Sequence, residues 1–211
     1  VVAFHGEDGS ILWNKPQAGS TQMVCGGVAV ADLEGDGQPE VIQGGIVLEG
    51  ATGAQRFVGR GMGTGYTGGM YASFGVVADI DQDGTQEVVV GNALYRPDGT
   101  AIWNNGQSDG FVAVANFDSD PQGEMVVTWY PGMVRLQDDD GTVLWQGSYT
   151  GATVGPPTVA DFDGDGEPEI GVAGNGVYVV IDTDGSRIWS RNVTDYSSGF
   201  TGSSVFDFEG D

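Results

Sequence analysis

A nine-residue acidic segment recurs along the chain, and its repetition constrains the fold more than any other feature. It reads Asp32-Leu-Glu34-Gly-Asp36-Gly-Gln38-Pro-Glu40, Asp79-Ile-Asp81-Gln-Asp83-Gly-Thr85-Gln-Glu87, Asn116-Phe-Asp118-Ser-Asp120-Pro-Gln122-Gly-Glu124 and Asp161-Phe-Asp163-Gly-Asp165-Gly-Glu167-Pro-Glu169. A fifth, shortened copy is Asp207-Phe-Glu209-Gly-Asp211. Successive copies start 47, 37, 45 and 46 residues apart, close to the length of a four-stranded propeller blade.

The flanks repeat as well. A short apolar run leads into each loop, and a β-branched run such as Glu87-Val-Val-Val leaves it. A Gly/Asn turn follows, then a third run, then a second hairpin signal at Thr52-Gly53, Asp98-Gly99, Asp140-Gly141 or Asp184-Gly185. Four residues past each of those glycines stands an aromatic: Phe57, Trp103, Trp145 and Trp189. Nothing sustains a 3.6-residue period, so helix is expected to be minimal. The fold class predicted is all-β, a propeller of four-stranded antiparallel blades covering 28–57, 76–103, 112–145 and 158–189. Residues 1–14 read as the tail of a preceding blade and 203–211 as the start of another, about four and a half blades in one partial domain over 1–211. Such sheets bury both faces only by stacking on one another, and the recurrent aromatic is the simplest anchor between them. Trp129 stands outside that pattern and is the aromatic most open to a role in recognition.

Thirty-eight glycines without a three-residue period suit many tight turns. Thirty acidic against seven basic residues give a net charge of −23. Such a surface repels nucleic acid and anionic lipid, so neither is an expected partner. No apolar run is long enough for membrane insertion. Cys25 is the only cysteine and says nothing of the compartment.

The spacing Asp-x-Asp-x-Asp-Gly-x-x-Glu gathers carboxylates from positions 1, 3, 5 and 9 around a tight turn. Position 7 (Gln38, Thr85, Gln122, Glu167) adds its main-chain carbonyl, and position 6 is glycine in three of the four complete copies, where a positive φ is expected. Six to eight oxygens of this kind suit Ca²⁺, whereas Mg²⁺ resists losing its waters. Transition metals want nitrogen or sulfur, and His5 is the only histidine. An EF-hand closes with Glu at position 12 between helices; here Glu stands at position 9 between β-branched runs. About four to five Ca²⁺ ions are expected, at Asp32, Asp79 and Asp161 with their partners and at the shortened copy Asp207, Glu209, Asp211. The Asn116 loop, with Pro121 at the glycine position, is expected to hold its ion more loosely.

The loops and their flanks, above all Val159-Ala-Asp-Phe-Asp-Gly-Asp-Gly-Glu-Pro-Glu-Ile170, resemble the FG-GAP repeats of integrin α-subunits and, more closely, the FG-GAP/VCBS repeat proteins of bacteria. That resemblance implies a larger propeller, often of seven blades, with Ca²⁺ between strands 1 and 2 of each blade, secreted or at the cell surface. In a propeller the 1–2 and 3–4 hairpins share one face, and the links between blades lie on the other. The links 15–27, 58–75, 146–157 and 190–203 vary in length and are rich in Gly, Tyr, Ser and Thr, as binding loops on a constant scaffold often are. The segment Gly61–Tyr71 is the most unusual of them. The function expected is a binding or adhesion module for a protein or glycan. The alternative is an enzyme, since some polysaccharide lyases resemble calcium-rich propellers. No pair of candidate bases announces itself by spacing.

Overall fold

The computed structural model describes residues 1–15, 23–59, 64–67, 70–194, 201–206 and 208. Strands β1 (Val2–Phe4) and β2 (Ile11–Asn14) form a hairpin, and β3 (Met23–Gly26) lies in the link after it. The first blade is β4 (Ala29–Ala31), β5 (Glu40–Gln43), β6 (Ile46–Glu49) and β7 (Gln55–Val58). Strands β8 (Thr64–Thr67) and β9 (Met70–Ser73) occupy the next link. The second blade is β10 (Val76–Ala78), β11 (Glu87–Val90), β12 (Ala93–Tyr95) and β13 (Ala101–Asn104). The third is β14 (Phe111–Ala115), β15 (Glu124–Trp129), β16 (Met133–Gln137) and β17 (Val143–Ser148). The fourth is β18 (Thr158–Ala160), β19 (Glu169–Gly174), β20 (Val177–Ile181) and β21 (Arg187–Asn192). In each blade neighbouring strands pair antiparallel in chain order. Among the described residues there is no helix.

The core lies between blades, and strand alternation explains why. In β11, Val88 and Val90 pack with Ile42 and Val47 of the first blade, while Val89 packs with Met125 of the third. All three valines are fully buried. A strand covered on both faces needs apolar side chains at successive positions, and the period of two sends them to opposite neighbours. The second residue of each acidic loop adds to the same seams. Leu33 plugs into the second blade, Ile80 into the third and Phe117 into the fourth.

A latch repeats along the outer strands. The aromatic of β2 and of the fourth strand in each of the first three blades lies over the positive-φ glycine of the next blade's 3–4 hairpin: Trp13 over Gly53, Phe57 over Gly99, Trp103 over Gly141 and Trp145 over Gly185. The indoles also donate to carbonyls of that hairpin, Trp13 to Gly50 at 2.8 Å, Trp103 to Asp139 at 2.6 Å and Trp145 to Thr183 at 2.7 Å. Only glycine tolerates both that φ and the flat ring against its Cα. The residue before each aromatic is a β-bulge, the extra residue skipped in the register of the strand pair.

Two features depart from the sequence reading. The links at 15–27 and 58–75, read as variable loops, carry strands: β8 pairs antiparallel with β9, and β9 pairs parallel with β3. Within Gly61–Tyr71, residues 61–63, 68 and 69 lie outside the described residues. Residues 203–206 and 208, the described part of the stretch 203–211 read as the start of a blade, are not in a strand. Ser203 is held against the fourth blade, its carbonyl accepting from Thr158 Oγ1 at 2.9 Å and its hydroxyl 2.8 Å from the Tyr178 hydroxyl.

Candidate metal centre

Each acidic loop is closed at its base by its glutamate. Glu40, Glu87, Glu124 and Glu169 open the second strand of their blades and stand opposite Ala31, Ala78, Ala115 and Ala160, the last residues of the first strands. In every copy Oε2 accepts the N–H of loop position 2, from Leu33 at 3.1 Å and Ile80 at 2.9 Å, and likewise from Phe117 and Phe162. The glutamates are buried while positions 3 and 5 face solvent. Burial raises all four carboxyls above the ordinary glutamate range. The N–H bond at position 2 opposes the rise; nearby aspartates add to it at Glu87, Glu124 and Glu169, whereas at Glu40 Arg56 also opposes it and Glu34 and Glu49 add to it.

The aspartates shape the turn. Position 1 accepts the N–H of the glycine at position 6: Asp32 from Gly37 at 2.7 Å, Asp79 from Gly84 at 3.0 Å, Asp161 from Gly166 at 3.1 Å. Those three glycines have φ of 83°, 91° and 94°, as expected. Position 5 accepts the N–H of position 7: Asp36 from Gln38, Asp83 from Thr85, Asp120 from Gln122 and Asp165 from Glu167, at 2.8–2.9 Å. Pro121 has no N–H to give to position 1. The residue there is Asn116, whose amide instead donates to the Asp120 carbonyl. The two departures of the third loop thus have one cause.

Three sets of carboxylates each converge closely enough to hold an ion of their own. Asp161, Asp163, Asp165 and Glu169 meet in the fourth blade, Asp79, Asp81 and Glu87 in the second, and Asp118, Glu124 and Asp138 in the third, each set with oxygens within 4.8 Å of one another. Asp83 and Asp120 stand outside these sets. Asp138 was not foreseen: it comes from the 3–4 hairpin of the third blade, on the face that the topology shares with the 1–2 loops. Glu87 Oε1 and Glu124 Oε1 are buried and have no hydrogen-bond partner. An unpartnered buried carboxylate oxygen costs several kcal/mol by rough estimate, and a hard cation bound by oxygens alone removes that cost. The second, third and fourth loops therefore fit Ca²⁺.

The first loop is arranged differently. Among the described residues Asp32, Glu34, Asp36 and Glu40 form no shared cluster. Instead Arg56 pairs with Glu34 through both Nη atoms and with Glu40 through Nη1 at 3.0 Å. Asp207, Glu209 and Asp211 lie outside the described residues. Trp129 stacks on the guanidinium of Arg135, 4.9 Å from the ring centre. Arg135 is fully buried, donates to Gln137 and to the Gly91 and Ser108 carbonyls, and is pushed down to about 10 by burial against the pull of Asp109. Trp129 thus serves the seam between the second and third blades.

The raised glutamates give a pH signature with a definite sign. A carboxyl whose folded pKa exceeds its unfolded value makes the native state bind extra protons, so stability falls as pH rises through the folded pKa. Metal-free protein should melt at a higher temperature at pH 5 than at pH 7.5. With Ca²⁺, protons compete for the same oxygens, so the melting temperature should fall over that interval. Calorimetric scans of resin-stripped protein check this, and a metal-free melting point that drops on acidification contradicts it.

No protein-family model matches the sequence, and no curated protein matches it. Solved structures do. The Vibrio cholerae biofilm matrix protein Bap1 aligns with a TM-score of 0.67 and 24% identity over 91% of this chain and 32% of its own. The exotype rhamnogalacturonan lyase YesX aligns with a TM-score of 0.50 and 19% identity over 89% of this chain and 50% of its own. The chain thus spans about a third to a half of the structures it resembles. What it shares with them, at these identities, is the fold of a partial β-propeller.

Proposed function

We propose that this chain is a segment of a calcium-stabilised propeller of the FG-GAP/VCBS kind, working outside the cytosol as a binding or adhesion module for a protein or glycan. The observation that carries the calcium reading is the pair of unpartnered buried oxygens, Glu87 Oε1 and Glu124 Oε1, inside oxygen-only clusters. Calcium is plentiful outside cells and scarce in the cytosol, which favours the extracellular placement. No described helix is long and apolar enough to cross a membrane. The binding role draws on the contrast between regular hairpins on the metal face and unequal links that carry β3, β8 and β9. The likeness to a biofilm matrix protein lends the same role support.

A polysaccharide lyase is the second reading, favoured by the fold shared with YesX. Lys15 and His5, candidate bases, are both exposed beside the β1–β2 hairpin. Incubating the full-length protein with a uronate-containing polysaccharide, with and without Ca²⁺, separates the readings. Calcium-dependent retention without cleavage is expected. New unsaturated uronate ends would replace the binding module with the lyase, and the absence of any calcium-binding heat would remove the calcium reading itself.

A further inference from the structure

The fourth strand of every blade bulges at the residue before its aromatic, and a bulge re-aims the side chain it carries. In the hairpin β1–β2 and in the second, third and fourth blades that residue is aliphatic: Leu12, Ile102, Leu144 and Ile188. In the first blade it is Arg56. The chain has only seven Lys and Arg residues against 30 acidic ones, and this one is directed into an acidic loop. Its guanidinium forms a two-pronged pair with Glu34, reaches Glu40 at 3.0 Å and stands 3.8 Å from Glu49. Paired geometry of this kind is what a planar guanidinium supplies to carboxylates.

A second departure in the same blade matches the first. Position 3 is aspartate in the other complete loops (Asp81, Asp118, Asp163) and glutamate here, a methylene longer. Glu34 is the residue that meets Arg56. The ninth-position oxygen tells the same story. Glu87 Oε1 and Glu124 Oε1 are buried without a partner, whereas Glu40 Oε1 already has the Arg56 Nη1 atom.

We propose that Arg56 is the resident cation of the first loop, and that this loop holds no Ca²⁺ while the three that follow do. Resting on the calcium reading of those three, the proposal makes the first blade's closure independent of calcium. The same ionic role is filled covalently by the chain itself, so the first blade stays closed when calcium is withdrawn.

Titration calorimetry and metal analysis after dialysis test it. Wild type is expected to take up one ion for each of the three converged clusters in blades two to four. Arg56→Leu, which installs the aliphatic residue of the other blades, should gain one further ion, and Arg56→Leu with Glu34→Asp should gain it with higher affinity. In chelator, Arg56→Leu should melt at a lower temperature than wild type, and saturating Ca²⁺ should close that gap. Circular dichroism in Ca²⁺ confirms folding, so a variant that unfolds without metal still yields its stoichiometry. Four ions on wild type in these loops, or no added ion in the folded double variant, would overturn the proposal. Wild type that binds no calcium at all would instead overturn the reading on which it rests.

Discussion

Stripping calcium is expected to lower the melting temperature by tens of degrees. Three carboxylate clusters each hold like charges with oxygens within 4.8 Å, an arrangement that repels strongly unless a cation intervenes. For a site with a dissociation constant about a hundredfold below ambient Ca²⁺, mass action contributes roughly 2.7 kcal/mol. Three such sites contribute about 8 kcal/mol, against roughly 5–15 kcal/mol for a whole domain. At about 2–4 °C per kcal/mol for a chain of this size, the expected shift is roughly 16–32 °C. Three ions would also bring the net charge from −23 to −17.

The loss should spread beyond the loops, because the residue that anchors each glutamate also plugs a seam. Ile80 donates its N–H to Glu87 and buries its side chain against the third blade, and its carbonyl accepts from Gly123 of the next loop at 3.2 Å. A glutamate left without its ion loosens the seam as well as the turn. Mg²⁺, which keeps its waters, should restore little. Asp81→Ala and Asp163→Ala should each remove one site's share, about 2–3 kcal/mol by the same mass-action estimate. Asp138→Ala should weaken the third site as much as Asp118→Ala does, since both belong to one cluster. Melting curves that superpose in chelator and in millimolar Ca²⁺ would reduce the loops to acidic turns.

Local spacing made much of this legible. The nine-residue period places Asp79, Asp81 and Glu87 in one turn because all are within a few residues of each other, and φ > 0 at position 6 follows from the same tight closure. The second strands are legible because β-branched runs such as Glu87-Val-Val-Val alternate with glycine turns. What stayed hidden depends on strands that return later. Arg56 lies 22 residues beyond Glu34, and only the bulge in β7 turns it toward the loop. Asp138 reaches the third cluster from a separate hairpin; the run Asp138-Asp139-Asp140, on the face assigned to both hairpins, was the available signal. Gln82 takes a φ of 57° at the loop position occupied by Gly35 and Gly164 in other blades, and its residue type does not announce that. Strands β8 and β9 are not legible in the sequence because their glycine-rich segments lack apolar alternation, and the parallel partner β3 is far away in sequence.

Breaking the aromatic latch should be the largest single-residue effect, and it should not depend on calcium. Trp103 lies over Gly141 so closely that a Cβ there would stand 2.8 Å from its ring, and Gly141 has a φ of 84°. Trp103→Ala removes a large ring from the seam between the second and third blades and leaves a gap that rigid strands cannot close. The expected cost is about 3 kcal/mol, the lower end for a large aromatic because the ring is only partly buried. That corresponds to about 6–12 °C. Trp103→Phe should cost far less, about 1 kcal/mol for the lost bond to the Asp139 carbonyl, since Phe57 already covers Gly99 in the preceding seam. Gly141→Ala should cost about 1–2 kcal/mol for the left-handed backbone, with the clash against Trp103 added to it. In the double variant Trp103→Ala/Gly141→Ala the clash is gone, so Gly141→Ala adds only its backbone cost to that of losing the ring. The two changes together should therefore cost less than their sum, by about 1 kcal/mol. The cycle should give the same coupling in chelator as in Ca²⁺, provided that the wild type remains folded in both. Strict additivity would show that ring and glycine are neighbours without being a latch, and the seams would then rest on Ile80, Val89 and Met125 alone.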